Sequence, residues 1–197
     1  MNRDIKKAIE ILKGGGIVIF PTDTVFGIGC RVDNEKAVEK LFKIKGKPEK
    51  RVAPILVDSI EMAQKYLKPI SAEVIEKLMK VHWPGSLTIV LPCKPKKTPA
   101  RLQENGKTLG VRMPNYKTIL RIIKNIGVPI IGTSANFYGQ KAPKKFSDID
   151  KRLITLVDFV LTGRCEQEVP STIIDCSQKP WKILREGVVK INLKFKI

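Results

Sequence analysis

The chain predicts an α/β fold: a mixed, twisted β-sheet with helices on its faces, arranged around a basic cleft. Three observations carry this expectation. Segments with apolar residues at helical spacing alternate with short β-branched runs as far as Ile131. Beyond about residue 156, short strand-like runs follow one another closely, which favours a mixed sheet over a purely parallel one. Four apolar runs also end abruptly in small hydroxyl, amide or cationic residues, so several strand ends are expected to converge on a polar site.

In chain order, Ile5, Ala8, Ile9 and Leu12 mark a helix over residues 2–13, stopped by Gly14-Gly15-Gly16, and Ile17 to Phe20 form a buried strand. Asn34 caps a helix running to about Ile44, with Ala37, Val38, Leu41 and Phe42 on its apolar side. Pro54 to Val57 reads as a strand, Ser59 to Tyr66 and Ser71 to Val81 as helices, and Ser86 to Leu91 and Thr108 to Met113 as strands. Lys117 to Asn125 repeats the helical period and Pro129 to Ile131 is a short strand. Ser147-Asp148-Ile149-Asp150 resembles a capping box opening a further helix, and Leu156 to Leu161, Thr172 to Asp175 and Trp181 to Leu184 read as strands.

A length of 197 residues without a composition break is expected to form a single domain over 1–197. The apolar runs are too short to cross a bilayer and the N-terminus lacks the apolar core of a signal peptide, so a cytoplasmic location with no membrane partner is expected. Cys30, Cys93, Cys165 and Cys176 are scattered without a C-x-x-C pair and His82 is the sole histidine, which predicts reduced thiols, no protein-held metal and no histidine-based acyl-transfer triad. Lysine and arginine exceed the acids by 37 − 19 = +18, which suits polyanionic partners such as nucleotides or RNA. The same excess would also serve as a generally basic surface.

Chemistry concentrates at the strand ends. In Pro21-Thr22-Asp23-Thr24-Val25-Phe26-Gly27-Ile28-Gly29, three hydrogen-bonding side chains sit between a rigid proline and two glycines, as in a ligand loop or an ordinary capping loop. Lys45-Gly46-Lys47-Pro48-Glu49-Lys50-Arg51 crowds four cations whose repulsion bound phosphate would relieve. Alternation puts Thr108, Gly110 and Arg112 on one strand face, where Arg112 suits either a salt bridge or a substrate carboxylate. Ser134-Ala135-Asn136, Ser171-Thr172 and Arg185-Glu186-Gly187 repeat the strand-end pattern. Neither a P-loop nor a G-x-G-x-x-G turn occurs. No side chain is singled out as nucleophile or general base.

Taken in order, Pro21 to Gly29, Lys45 to Lys47, Trp83 to Thr88, Ser134 to Asn136 and Ser171 to Asp175 resemble the five motifs of the YrdC-like threonylcarbamoyl-AMP synthases, over residues 6–189. The resemblance implies a YrdC/RibB-like fold and a reaction of L-threonine, bicarbonate and ATP. The products would be pyrophosphate and a threonylcarbamoyl adenylate used to form N6-threonylcarbamoyladenosine in tRNA. It implies threonine binding by Thr24, Arg112 and Ser171, with Arg112 on the carboxylate. Lys45, Lys47, Arg51, Thr108, Ser134, Asn136 and Arg185 would bind ATP, and Mg²⁺ would accompany the nucleotide. Partners would include tRNA and a downstream threonylcarbamoyl transferase complex. The chain would end near the catalytic domain's usual limit, without the extra C-terminal domain of longer relatives.

Two residues depart from the family pattern. Lys47 stands where the motif has arginine, and Leu56, or Asp58 in a shifted register, stands where some members have histidine. Two other functions fit parts of the sequence. The charge suits a non-catalytic RNA-binding or ribosome-associated module, and a paralogue could make another carbamoyl adenylate. Against the second, Ser134-Ala135-Asn136 is intact.

Overall fold

A computed structural model describes residues 2–46, 48 and 53–192. Lys47 and Arg51, both expected at the nucleotide, lie outside the described residues. The helices form where period and caps coincide. Helix α1 (Arg3–Lys13) buries Ala8, Ile9 and Leu12, and Asn34 caps α2 (Glu35–Ile44) by accepting from Ala37 N at 3.0 Å. Ser59 likewise caps α3 (Ile60–Tyr66), accepting from Met62 N at 3.1 Å.

The expected helix over residues 71–81 is instead three pieces: α4 (Ala72–Val74), a π-helical turn over Ile75–Met79, and α5 (Lys80–His82). Helix α6 (Lys117–Ile126) packs four isoleucines inward and lies against α1. Near residue 150 the expectation fails in detail. Asp148 turns back to accept from Lys145 N at 2.9 Å, and Asp150, not Ser147, caps α7 (Lys151–Thr155) through Arg152 N at 2.9 Å. Residues 156–161 consequently begin as the end of that helix, and only Phe159–Val160 pair as a strand.

The strands make two mixed sheets where one was expected. Four strands, β1 (Val18–Phe20), β2 (Gly27–Gly29), β7 (Thr133–Ser134) and β8 (Phe159–Val160), stand in the order β7-β2-β1-β8. The larger sheet has the order β10-β9-β4-β5-β3-β6. Its members are β3 (Ile55–Leu56), β4 (Leu87–Pro92), β5 (Thr108–Arg112), β6 (Ile130–Ile131), β9 (Thr172–Asp175) and β10 (Lys182–Arg185). Only Gly132 separates β6 from β7, so the chain steps between the sheets at that residue.

Ile131 N donates to Cys30 O at 2.9 Å, which draws the end of β2 against β6 across the same corner. This approach leaves no room at Gly29. A Cβ there would overlap the Ile131 carbonyl oxygen, which is backbone and has nowhere to go. Inside the corner, Phe20, Phe26, Ile28, Ile55 and Ile131 are essentially inaccessible, so the core runs continuously from one sheet to the other. Among the described residues no helix is long and apolar enough to cross a membrane.

Gly29→Ala is expected to destabilise the fold by about 3 kcal/mol, read by urea denaturation. A loss below about 0.5 kcal/mol would show that the two sheets are not held this closely.

Candidate active site

One row of side chains crosses the larger sheet. Arg185 pairs with Ile173, Ile173 with Thr88, and Leu56 with Arg112. Continuing the antiparallel β4–β5 register by one residue sets Thr88 beside Arg112. Residues opposite one another in a ladder project to the same face. The five form the floor of a solvent-open cavity of about 200 Å³, and all of them line it. Its other wall is the loop after β1, with Thr22, Thr24 and Val25, together with Thr133 and Ser134 of β7.

Beneath this cavity lies a buried charge pair. Arg112 is 6% exposed and Asp23 2%. Arg112 Nη2 donates to Asp23 Oδ1 at 2.5 Å, Nη1 to Thr24 Oγ1 at 2.9 Å and Nε to Gly85 O at 3.0 Å. Ser86 Oγ donates to the other Asp23 oxygen at 3.0 Å. Thr22 gives its hydroxyl hydrogen to Val25 O at 2.8 Å, so in the 3.0 Å contact between Thr22 and Thr24 the donor is Thr24. Thr24 Oγ1 is left able to offer only acceptor capacity.

Across the floor, Ser171 Oγ meets Thr88 Oγ1 at 2.9 Å and accepts from Arg185 Nη2 at 3.1 Å, and Arg185 also donates twice to Ser171 O. Burial lowers the Arg112 pKa, opposed by Asp23. The Arg185 pKa is lowered first by burial of its guanidinium and then by the positive charge of Arg112. Two guanidiniums therefore repel each other over one cavity, and an anionic ligand between them would remove that repulsion.

On the rim, Lys45 is buried and its Nζ donates to Ser134 O and Asn136 O, both at 2.5 Å. Asn136 Nδ2 donates to Phe137 O at 2.9 Å and Gln140 O at 2.8 Å, while Asn136 Oδ1 is buried without a partner. Lys45 is thus built into the Ser134–Asn136 loop and does not stand as a solvated cation on a turn. Among the described residues no group of three His, Cys, Asp or Glu side chains could hold a metal ion.

The structure brings Thr24, Arg112, Ser171, Ser134 and Arg185 to the cavity, with Lys45 and Asn136 on its rim loop. Thr108 is not brought there. It opens β5 opposite Pro92, four residues and roughly 13 Å along the strand from Arg112, and does not line the cavity. Strand alternation put it on the right face but says nothing of depth along that face. Asp23, Thr88 and Leu56 were given no binding role: Asp23 is named only as one polar residue of its loop, Thr88 as the end of the Trp83–Thr88 motif and Leu56 as a departure from the family pattern, although the expected strands 86–91 and 54–57 place Thr88 and Leu56 correctly.

Comparison with known proteins gives this geometry a family. The Sua5/YciO/YrdC family model, described as telomere recombination, matches residues 10–187. The chain belongs to that family. Over 190 residues it is 35% identical to the threonylcarbamoyl-AMP synthase of Bacillus subtilis (strain 168), covering 93% of this chain and 53% of that protein. Over another 190-residue alignment it is 30% identical to the threonylcarbamoyl-AMP synthase of Vibrio vulnificus (strain YJ016), covering 95% of this chain and 100% of that protein.

Pyrococcus abyssi Sua5 complexed with L-threonine superposes with a TM-score of 0.87 at 33% identity, over 93% of this chain and 54% of that one. Escherichia coli YciO gives a TM-score of 0.85 at 28% identity, over 96% and 91%. The chain spans about half the length of the Bacillus and Pyrococcus relatives. In this Sua5/YciO/YrdC member, residues of the Pro21–Gly29, Trp83–Thr88, Ser134–Asn136 and Ser171–Asp175 segments line one cleft, with Asp23 and Arg112 paired beneath it.

Asp23→Asn is expected to cost about 3–5 kcal/mol in urea unfolding, because it leaves the Arg112 charge buried without its counter-ion. Adding Arg112→Met should recover much of that loss. Additive losses in the double variant would mean that the two residues are not coupled.

Proposed function

We propose that the chain is an L-threonylcarbamoyladenylate synthase. The observation that carries this reading is the convergence of two mutually repelling guanidiniums, Arg112 and Arg185, with the hydroxyls of Thr24, Ser134 and Ser171, on a cavity whose one underlying carboxylate is already paired. Such a site orients anions and offers no side chain set up as a nucleophile. Family membership and the names of the relatives support the same reading.

In this reaction the threonine amine takes up carbon dioxide from bicarbonate, releasing water. A carbamate oxygen then attacks the α-phosphorus of ATP, and pyrophosphate leaves. Orientation and neutralisation of developing phosphate charge supply the rate. Arg112 holds the threonine carboxylate through the donor capacity not engaged by Asp23, Thr24 and Gly85. Thr24, as an acceptor, suits the amine or hydroxyl of the substrate, and Ser171 lies across the floor from it.

Arg185, Ser134 and the Lys45-braced loop face the nucleotide. Asn136 belongs to the same loop and would join the nucleotide contacts, its Oδ1 being buried and without a partner in the protein. Lys47 and Arg51 would extend the cation set. Mg²⁺ would arrive on the phosphates, held by their oxygens and by water, because the Asp23 carboxylate is engaged by Arg112 and Ser86. The short-lived adenylate would pass to a threonylcarbamoyl transferase acting on cytoplasmic tRNA, a setting that the +18 charge suits.

Purified protein with ATP and Mg²⁺ is expected to release pyrophosphate only when both L-threonine and bicarbonate are present. Release that ignores threonine would refute the assignment. Arg112→Ala should raise KM for threonine at least about tenfold while changing KM for ATP much less, and equal changes would contradict the carboxylate role.

A further inference from the structure

The floor row changes character at its end. Arg185, Thr88 and Arg112 are polar or charged, whereas Leu56, one strand spacing of about 4.8 Å beyond Arg112, is aliphatic and 2% exposed. Leu56 and Arg112 are direct ladder partners, so whatever lies on the guanidinium has the leucine at its flank. Its position is fixed from behind. A Cβ at Gly132 would fall within 2.8 Å of Cγ, Cδ1 and Cδ2 of Leu56, so the isobutyl group lies flat over the bare α-carbon of that glycine. Gly132 N donates to Pro54 O at 3.0 Å, which locks the two segments at that spacing. Pro54 also lines the cavity, extending the apolar patch.

We propose that Leu56, seated over Gly132, selects the amino-acid side chain: it forms an aliphatic wall beside Arg112 that receives the β-methyl group of the substrate. The inference rests on the synthase reading for the orientation of the carboxylate. With the carboxylate on Arg112, the side chain begins two bonds away, within reach of the adjacent strand. Of the hydroxyls on the cavity, those of Thr88 and Ser171 lie across Arg112 from Leu56 and that of Thr24 bonds to the guanidinium itself, while Thr133 follows Gly132 on the wall. A β-branched substrate that carries one methyl and one hydroxyl can satisfy both sides. Serine, which lacks the methyl, forfeits its contact with the leucine and Pro54, and loss of one methyl group in such a pocket is worth roughly 10–200-fold.

Threonine and serine are compared by pyrophosphate release and, separately from turnover, by calorimetric titration of each amino acid into the protein. The unsubstituted chain is expected to prefer threonine at least about tenfold in both measurements. Leu56→Ala should lower that preference about tenfold with KM for ATP unchanged. Gly132→Ala should push the leucine into the cavity and raise the threonine Kd about tenfold, and the Leu56→Ala/Gly132→Ala double variant should bind threonine better than Gly132→Ala alone.

An unchanged threonine-to-serine ratio in a folded Leu56→Ala protein overturns the proposal, as does a double variant no better than Gly132→Ala. Threonine binding without turnover would refute the synthase reading and leave the selectivity to be judged on Kd. No threonine binding at all overturns this inference.

Discussion

The Asp23–Arg112 pair fixes the geometry on which the cleft depends. Moving two ions out of water costs several kcal/mol each, and attraction alone does not repay it without further hydrogen bonds. Here both partners are satisfied from different parts of the chain. Arg112 ends β5 of the larger sheet, Asp23 and Thr24 belong to the loop leaving the smaller one, and Gly85 and Ser86 precede β4. One buried network therefore ties the cavity's floor to its wall. It also determines the protonation geometry of that wall, since Thr24 accepts from the guanidinium and gives its own hydrogen to Thr22.

The pair also sets the charge that a ligand meets. Asp23 balances Arg112, so the carboxylate is not available for metal binding and the guanidinium is held in one plane. Among the described residues Arg185 has no carboxylate within ion-pair distance and bonds to Ser171, while burial and then the charge of Arg112 lower its pKa. The cavity floor thus has an excess of positive charge at one end and an aliphatic end beyond Arg112. Lys45 strengthens the rim differently. By donating to two carbonyls of the Ser134–Asn136 loop it turns a cation of the sequence into a brace, which the sequence pattern of four clustered cations did not reveal.

What could be read from the sequence follows from how local each determinant is. The α2 helix is specified by an apolar stripe and by a cap three residues from its partner, so Asn34 and Ala37 suffice to find it. By contrast, β2 and β7 are three and two residues long and rich in Gly, Thr and Ser, and they are strands only because each pairs with a distant segment. This is why one sheet was expected and two are present. The strand-end pattern located Thr24, Ser134, Ser171 and Arg185, since strand ends advertise themselves by an abrupt change to polar residues, and alternation along Thr108 to Met113 located Arg112. Thr108 shared their face but not their depth, and Asp23 acquired its role only through Arg112, 89 residues away.

Gly132 shows how closely fold and site are joined. It is the single residue between β6 and β7, so it carries the chain from one sheet to the other, and its missing side chain is also the space that Leu56 occupies. A side chain at this corner would disturb the sheet junction and the cavity floor together. Leu56 is the separable member of the pair, because shortening it removes atoms from the cavity side while leaving the backbone ladder to Arg112 and Ile130 intact. Substrate preference can therefore vary at the leucine without rebuilding the junction, whereas the glycine is constrained by both demands at once.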